Sequence, residues 1–261
     1  FKVGENLGEG STSVNVHVIV YNERKKLVDK NLSELGATIV KEEQLTPYSY
    51  RYEIKYDKDL MEFSKAIESI ESVEILSIGK SLELIKDLGD ATTVSDQYGL
   101  NKFMGTHGIG HTRMATESAV TTLGAHPFST GPDQCLVHNG SLSNHNQLRQ
   151  KLISEGMEIN TENDTDVAAS YLSLQIKKGK TLEQSLELAL SDLDGFYTFL
   201  VGTKDGFGVL RDPISCKPAV MAENDYYVAF GSEYRAFANL PEINHAKIWE
   251  PEPATVYFWK H

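Results

Sequence analysis

The sequence predicts an α+β protein in two parts: a βαββαβ unit over roughly the first 90 residues, then antiparallel sheets with helices on their outer faces. Three observations predict it. Apolar residues alternate with period two in short runs, helical spacing appears only in separate segments between those runs, and after Gly195 the pattern is strand alone. With 261 residues, 40% of them hydrophobic and 24% charged, the chain is long enough to bury one large core or two modest ones, and disorder, collagen and coiled coil are excluded.

In order, residues 14–21 (VNVHVIVY) alternate as a half-buried strand, and 23–35 follow with helical spacing. Residues 37–40 read as a short strand and 48–56 (YSYRYEIKY) as an aromatic-rich one. A helix is expected over 57–70, with Asp57 or Asp59 as N-cap and Leu60, Phe63, Ala66, Ile67 and Ile70 on one face. The apolar run 73–78 closes a ferredoxin-like βαββαβ module, inserted in or attached to something larger. The linking stretch 81–101 is expected to hold a helix over 82–88 and then a polar loop. The expected division is therefore 1–95, an N-terminal strand region with module and linker, and 96–261, the main core. Within that core, helices are expected over 144–155, from an entry at Asn163, Asp164 and Thr165, and over 181–192 with a capping box in Thr181 and Gln184. Strands are expected at 196–201, 207–211, 219–222, 226–230, 247–249 and 255–259, the first two joined by a hairpin at 204–206.

Charge and cysteine content narrow the function. The 37 acidic against 25 basic residues give a net charge of -12, a field that repels phosphate backbones and anionic lipid, so neither nucleic acid nor membrane is an expected partner. No apolar run approaches the ~20 residues that a bilayer needs, and residues 1–10 do not read as a signal peptide. Two cysteines make no disulfide framework, which fits a reduced, cytoplasmic home.

Several motifs have bland readings. Gly79, Lys80 and Ser81 resemble the end of a phosphate loop, but Glu74 stands where that loop needs glycine. His107 and His111 are four apart in a glycine-rich segment where no helix aligns them, so no metal site is expected. Cys135 has the chemistry of a nucleophile, yet Leu136 and Val137 place it in a buried strand; Cys216 has no better case. Three features together suggest chemistry. Arg113 lies in a glycine-flanked segment and could grip a carboxylate with both guanidinium nitrogens. Asn139 and Gly140 end an apolar strand, where an amide and an open backbone N–H could converge on one oxygen. Asp164 opens a helix, as a cap or as the partner of an ammonium group, and both uses stay open. An anion clamp, two oxyanion donors and a cation clamp suit a free α-amino acid with a reactive side-chain carbonyl.

The segments GIGHTRMATES (108–118), GAHPFST (124–130), LVHNGSLSNHNQLR (136–149) and ENDTDVAASYL (162–172) resemble the class II glutamine amidotransferases, which are N-terminal-nucleophile hydrolases. The nearest resemblance within them is to separate amidotransferase subunits of glutamate synthase or N-methylglutamate synthase type. It spans about two thirds of the chain, from Gly105 onward, with the early module resembling an insertion such subunits carry. The resemblance implies a four-layer αββα sandwich. It also implies that Arg113 and Thr116 hold the glutamine α-carboxylate, that Asp164 holds the α-ammonium, that Asn139 and Gly140 form the oxyanion hole and that His126 lines the pocket. The implied reaction hydrolyses glutamine to glutamate and delivers ammonia to a synthase partner. The amidotransferase itself would need no cofactor, and flavin and iron–sulfur clusters would belong to partner subunits. Met114 and Glu117 depart from the aromatic residue and histidine often found there. The family nucleophile is an N-terminal cysteine, whereas the sequence starts at Phe1, so the chain as it stands is expected to be inactive alone and part of a longer polypeptide. A nucleophile-less subunit that binds glutamine or glutamate and regulates a partner is the alternative.

Overall fold

The computed structural model describes residues 13–21, 23–112, 121–129 and 131–260. The first part is a four-stranded antiparallel sheet in the order β2-β3-β1-β4, built from β1 (Ser13–Val20), β2 (Thr38–Thr46), β3 (Ser49–Lys55) and β4 (Val73–Gly79). Helices α1 (Lys25–Glu34) and α2 (Leu60–Glu68) complete the βαββαβ order. One face of each strand and helix meets in a buried core that includes Val16, Val18, Leu32, Tyr52, Ile54, Phe63 and Ile67. Asp59 caps α2 by accepting from the N–H groups of Met61 and Glu62.

Two expectations about this part need correction. Strand β2 runs to Thr46 rather than stopping at Val40, because it is the sheet edge, paired only with β3, and its Lys41, Glu42 and Gln44 are exposed. An edge strand with one wet face hides its hydrophobic signal. The expected helix over 82–88 is not formed. The N–H groups at its start go elsewhere: that of Leu82, with those of Lys80 and Ser81 just before it, donates to the Asp133 carboxylate, and that of Leu84 to Ser77 Oγ. The helix of the linker is α3 (Ala91–Tyr98), in the stretch read as polar loop, capped by Asp90.

The second part is a sandwich. The strands β5 (Gln134–Leu142), β6 (Gly195–Thr203), β7 (Gly206–Arg211) and β11 (Thr255–Lys260) pair in the order β11-β7-β6-β5. The strands β8 (Val220–Glu223), β9 (Val228–Gly231) and β10 (Lys247–Trp249) form a smaller sheet, β10-β8-β9. Alternation along the larger sheet sorts its residues by layer. Leu136, Phe199, Val201 and Leu210 pack on α5 (Asp164–Lys177) and α6 (Leu182–Asp192), with α4 (His145–Ser154) beside them. Val137, Leu200 and Val209 face the smaller sheet through Met221. Beyond that sheet, Phe237 and Ile243 of two short 3₁₀ turns cover Ala222. The result is the four-layer αββα order, with a thin outer layer on one side among the described residues.

Capped, half-buried and charged groups fasten the two parts. Lys86, buried, donates to the carbonyls of Leu123 and Ala125. Asp87 accepts from the hydroxyls of Tyr48 and Tyr98. Ile19, Leu76, Leu82, Leu84 and Cys135 form a small core at the junction.

Candidate functional site

The site forms along the C-terminal half of β5. Residues Asn139 and Gly140 lie opposite Thr198 and Tyr197 of β6. Asn139 and Thr198 share the face of Val137 and Leu200, toward the smaller sheet. Gly140 has φ +141°, and a Cβ there would stand 2.0 Å from the Phe196 carbonyl oxygen, so a side chain is excluded by both conformation and space.

Asp164 is the first residue of α5, but it does not cap that helix; Asn163 does, accepting from the Thr165 N–H. Freed from capping, the Asp164 carboxylate accepts from the Leu142 N–H at 3.0 Å and lies 3.6 Å from His138 Nδ1. One carboxylate thus touches the strand on both sides of Asn139 and Gly140. Burial pushes its pKa upward, but His138, the Leu142 N–H and His145 outweigh burial and hold it below the usual carboxylate range. An anion kept charged at the strand end is suited to an ammonium group.

Three histidines gather behind this edge. His138 Nδ1 is 3.1 Å from Thr165 Oγ1, and Thr165 Oγ1 is 3.4 Å from His126 Nε2. The His138 N–H donates to His126 Nδ1, and His111 stacks on His126 with centroids 4.2 Å apart. A cleft of about 140 Å³ opens in front, lined by Gly108, Gly110, His111, Val137, His138, Asn139, Thr198, Leu200, Pro218, Phe230, Gly231 and Ser232. His126 is therefore packed beneath a lining residue and does not itself line the cleft. Arg113 and Thr116, like Met114 and Glu117, lie outside the described residues. The structure sets Asp164 against β5 on either side of Asn139 and Gly140, and of these three Asn139 lines the cleft; it adds Thr198, Phe230 and Ser232, which sequence reasoning missed, and His111, which that reasoning had weighed as a metal ligand. The available signal for Thr198 was one hydroxyl alternating with apolar residues in a buried strand.

The other candidates resolve as structure. Cys135 is 1% exposed, and burial pushes its thiol up to about 12, the wrong direction for a nucleophile. Cys216 is an exposed free thiol. The N–H groups of Lys80, Ser81 and Leu82 do form an anion cradle, but Asp133 fills it, and its Oδ1 would lie 2.2 Å from a Cβ on Gly79. Among the described residues no group of three or more His, Cys, Asp or Glu could hold a metal ion, and no helix is long and apolar enough to cross a membrane.

Residues 111–239 match the family model of a glutamine amidotransferase domain. The glutamine amidotransferase-like protein GlxB of Rhizobium meliloti (strain 1021) is 67% identical over 72% of this chain and 63% of its own length. A putative glutamine amidotransferase of Methanothermobacter thermautotrophicus (strain Delta H) is 37% identical over 73% of this chain and 63% of its own length. The chain thus spans under two thirds of both relatives. The structure of glutamine phosphoribosylpyrophosphate amidotransferase from B. subtilis superposes with a TM-score of 0.54 at 22% identity, over 95% of this chain and 47% of that one. That likeness shows the fold.

Proposed function

We propose that this chain is part of a class II glutamine amidotransferase, and that the full-length protein hydrolyses glutamine to glutamate and delivers the ammonia to a synthase partner of glutamate synthase type; the glutamine amidotransferase domain match and the two relatives support this. The observation that carries this reading is the Asp164 carboxylate set against β5 on either side of Asn139 and Gly140. In the proposed complex Asp164 holds the α-ammonium, while Arg113 and Thr116 hold the α-carboxylate. Asn139 and Gly140 hold the side-chain carbonyl oxygen as it becomes an oxyanion.

The nucleophile of this reading is an N-terminal cysteine, as the resemblance to the class II amidotransferases implies. The thiolate attacks the side-chain carbonyl carbon, the carbon–nitrogen bond breaks, ammonia leaves, and water then cleaves the thioester to glutamate and thiol. Flavin and iron–sulfur clusters belong to the partner subunits, the amidotransferase needs none, and the setting is the cytoplasm. Glutamate release is measured from glutamine with the full-length polypeptide, alone and with its co-purifying subunits. Turnover that is lost in Asn139→Ala supports the reading; no glutamate release in either preparation overturns it.

A further inference from the structure

Thr198 is 3% exposed, lines the cleft, and its Oγ1 has no hydrogen-bond partner among the described residues. A buried hydroxyl left unpaired is costly enough that native proteins rarely keep one without a use. Its neighbours on the sheet do not satisfy it. Arg211, directly opposite on β7, turns its guanidinium to the carbonyls of Pro251, Ser215 and Lys217. Asn139, directly opposite on β5, makes no hydrogen bond to it among the described residues.

The cleft around Thr198 has a definite chemistry. Val137, Leu200, Pro218 and Phe230 make an apolar wall, and no Lys, Arg, Asp or Glu is among the described lining residues. An aliphatic chain ending in an uncharged polar group fits such a wall. A carboxamide ends in one acceptor oxygen and two N–H donors, and Asn139 and Thr198 stand on facing strands with an amide donor and a hydroxyl acceptor to offer.

We propose that Thr198 is a substrate-binding residue: its Oγ1 accepts a hydrogen bond from the nitrogen of the substrate's side-chain carboxamide, while Asn139 donates to the carboxamide oxygen. This rests on the glutaminase reading and extends it to how the amide end is recognised. Thr198→Val removes the hydroxyl and keeps the shape. In the full-length protein this variant raises KM for glutamine about tenfold with kcat little changed, and Thr198→Ser restores KM. L-Norvaline keeps the α-amino acid and lacks the carboxamide, so it inhibits Thr198→Val as well as it inhibits the wild type. A KM unchanged in Thr198→Val, an equal weakening of norvaline, or a failure of serine to rescue overturns the proposal while leaving glutaminase activity intact. A wild type that neither hydrolyses glutamine nor shows a glutamine-dependent thermal shift overturns both.

Discussion

Two buried histidines on β-strands show how the halves of the molecule differ. His17, on β1, is 1% exposed and both ring nitrogens are engaged, Nδ1 with the Leu84 carbonyl at 2.8 Å and Nε2 with Ser49 Oγ at 2.6 Å. Burial lowers its pKa to about 4, so it is a neutral link between sheet and linker. His138, on β5, is 5% exposed, and among the described residues its Nδ1 has partners while Nε2 is buried without one. On the larger sheet of the sandwich Thr198 Oγ1 is in the same condition, whereas the strands of the βαββαβ module keep their buried hydroxyls and rings paired. Polar groups that are satisfied at rest hold a fold together. Those left unsatisfied at a cleft are places where a ligand completes the structure.

Substitutions can break or sharpen that contrast. The largest effect is expected at Asn139→Ala, where loss of one oxyanion donor lowers kcat for glutamine about 10²- to 10³-fold, with the melting temperature nearly unchanged. Steady-state kinetics beside a thermal melt reads both. His17→Ala is its mirror image. It strands Ser49 Oγ and the Leu84 carbonyl and opens a cavity, at a cost of about 3 kcal/mol in urea unfolding, while turnover per folded molecule stays the same. Asp164→Asn removes the charge but keeps an oxygen for the Leu142 N–H, so glutamine KM rises about 10- to 100-fold, roughly the 1.5 to 3 kcal/mol of a charged hydrogen bond, with little loss of stability.

The smallest effect lies at the junction of the two halves. Glu68 on α2 is pushed up to about 7 by burial, which the Ile75 N–H only partly offsets and which Glu74, Glu158 and Asp166 reinforce. The folded state keeps its proton up to about pH 7, whereas the unfolded chain releases it near 4.5. Its contribution to stability is therefore complete below pH 4.5 and is lost as pH rises through 7. Glu68→Gln is expected to be more stable than wild type by about 1 kcal/mol at pH 8 and equal to it below pH 4.5. Melts at the two pH values check the sign.

Much of this was legible in the sequence. The order βαββαβ followed from where period two changed to helical spacing, and the Thr181–Gln184 capping box is formed as its spacing predicts. The segment 82–88 was misread because its leucines are spaced as in a helix, while the partners that draw its N–H groups away, Ser77 and Asp133, sit on other elements. The site divides in the same way. That Asn139 and Gly140 sit on the strand after the apolar run 135–137 was readable, although the strand continues to Leu142 rather than ending at them; whether Asp164 caps its helix was not, since Asn163 next to it could do so equally well.

Local pattern determined most of the segments that became strands or helices and placed Asn139 and Gly140 on one of the strands, because periodicity, caps and turn chemistry act between residues close in the chain. Tertiary structure decided what those residues face. It released Asp164 from capping and aimed it at Leu142 and His138, buried Cys135 beyond reactivity, filled the anion cradle at Lys80 with Asp133, and set Thr198 across from Asn139. Each of these joins residues from different elements, where burial and competition for hydrogen-bond partners, rather than spacing, fix the outcome.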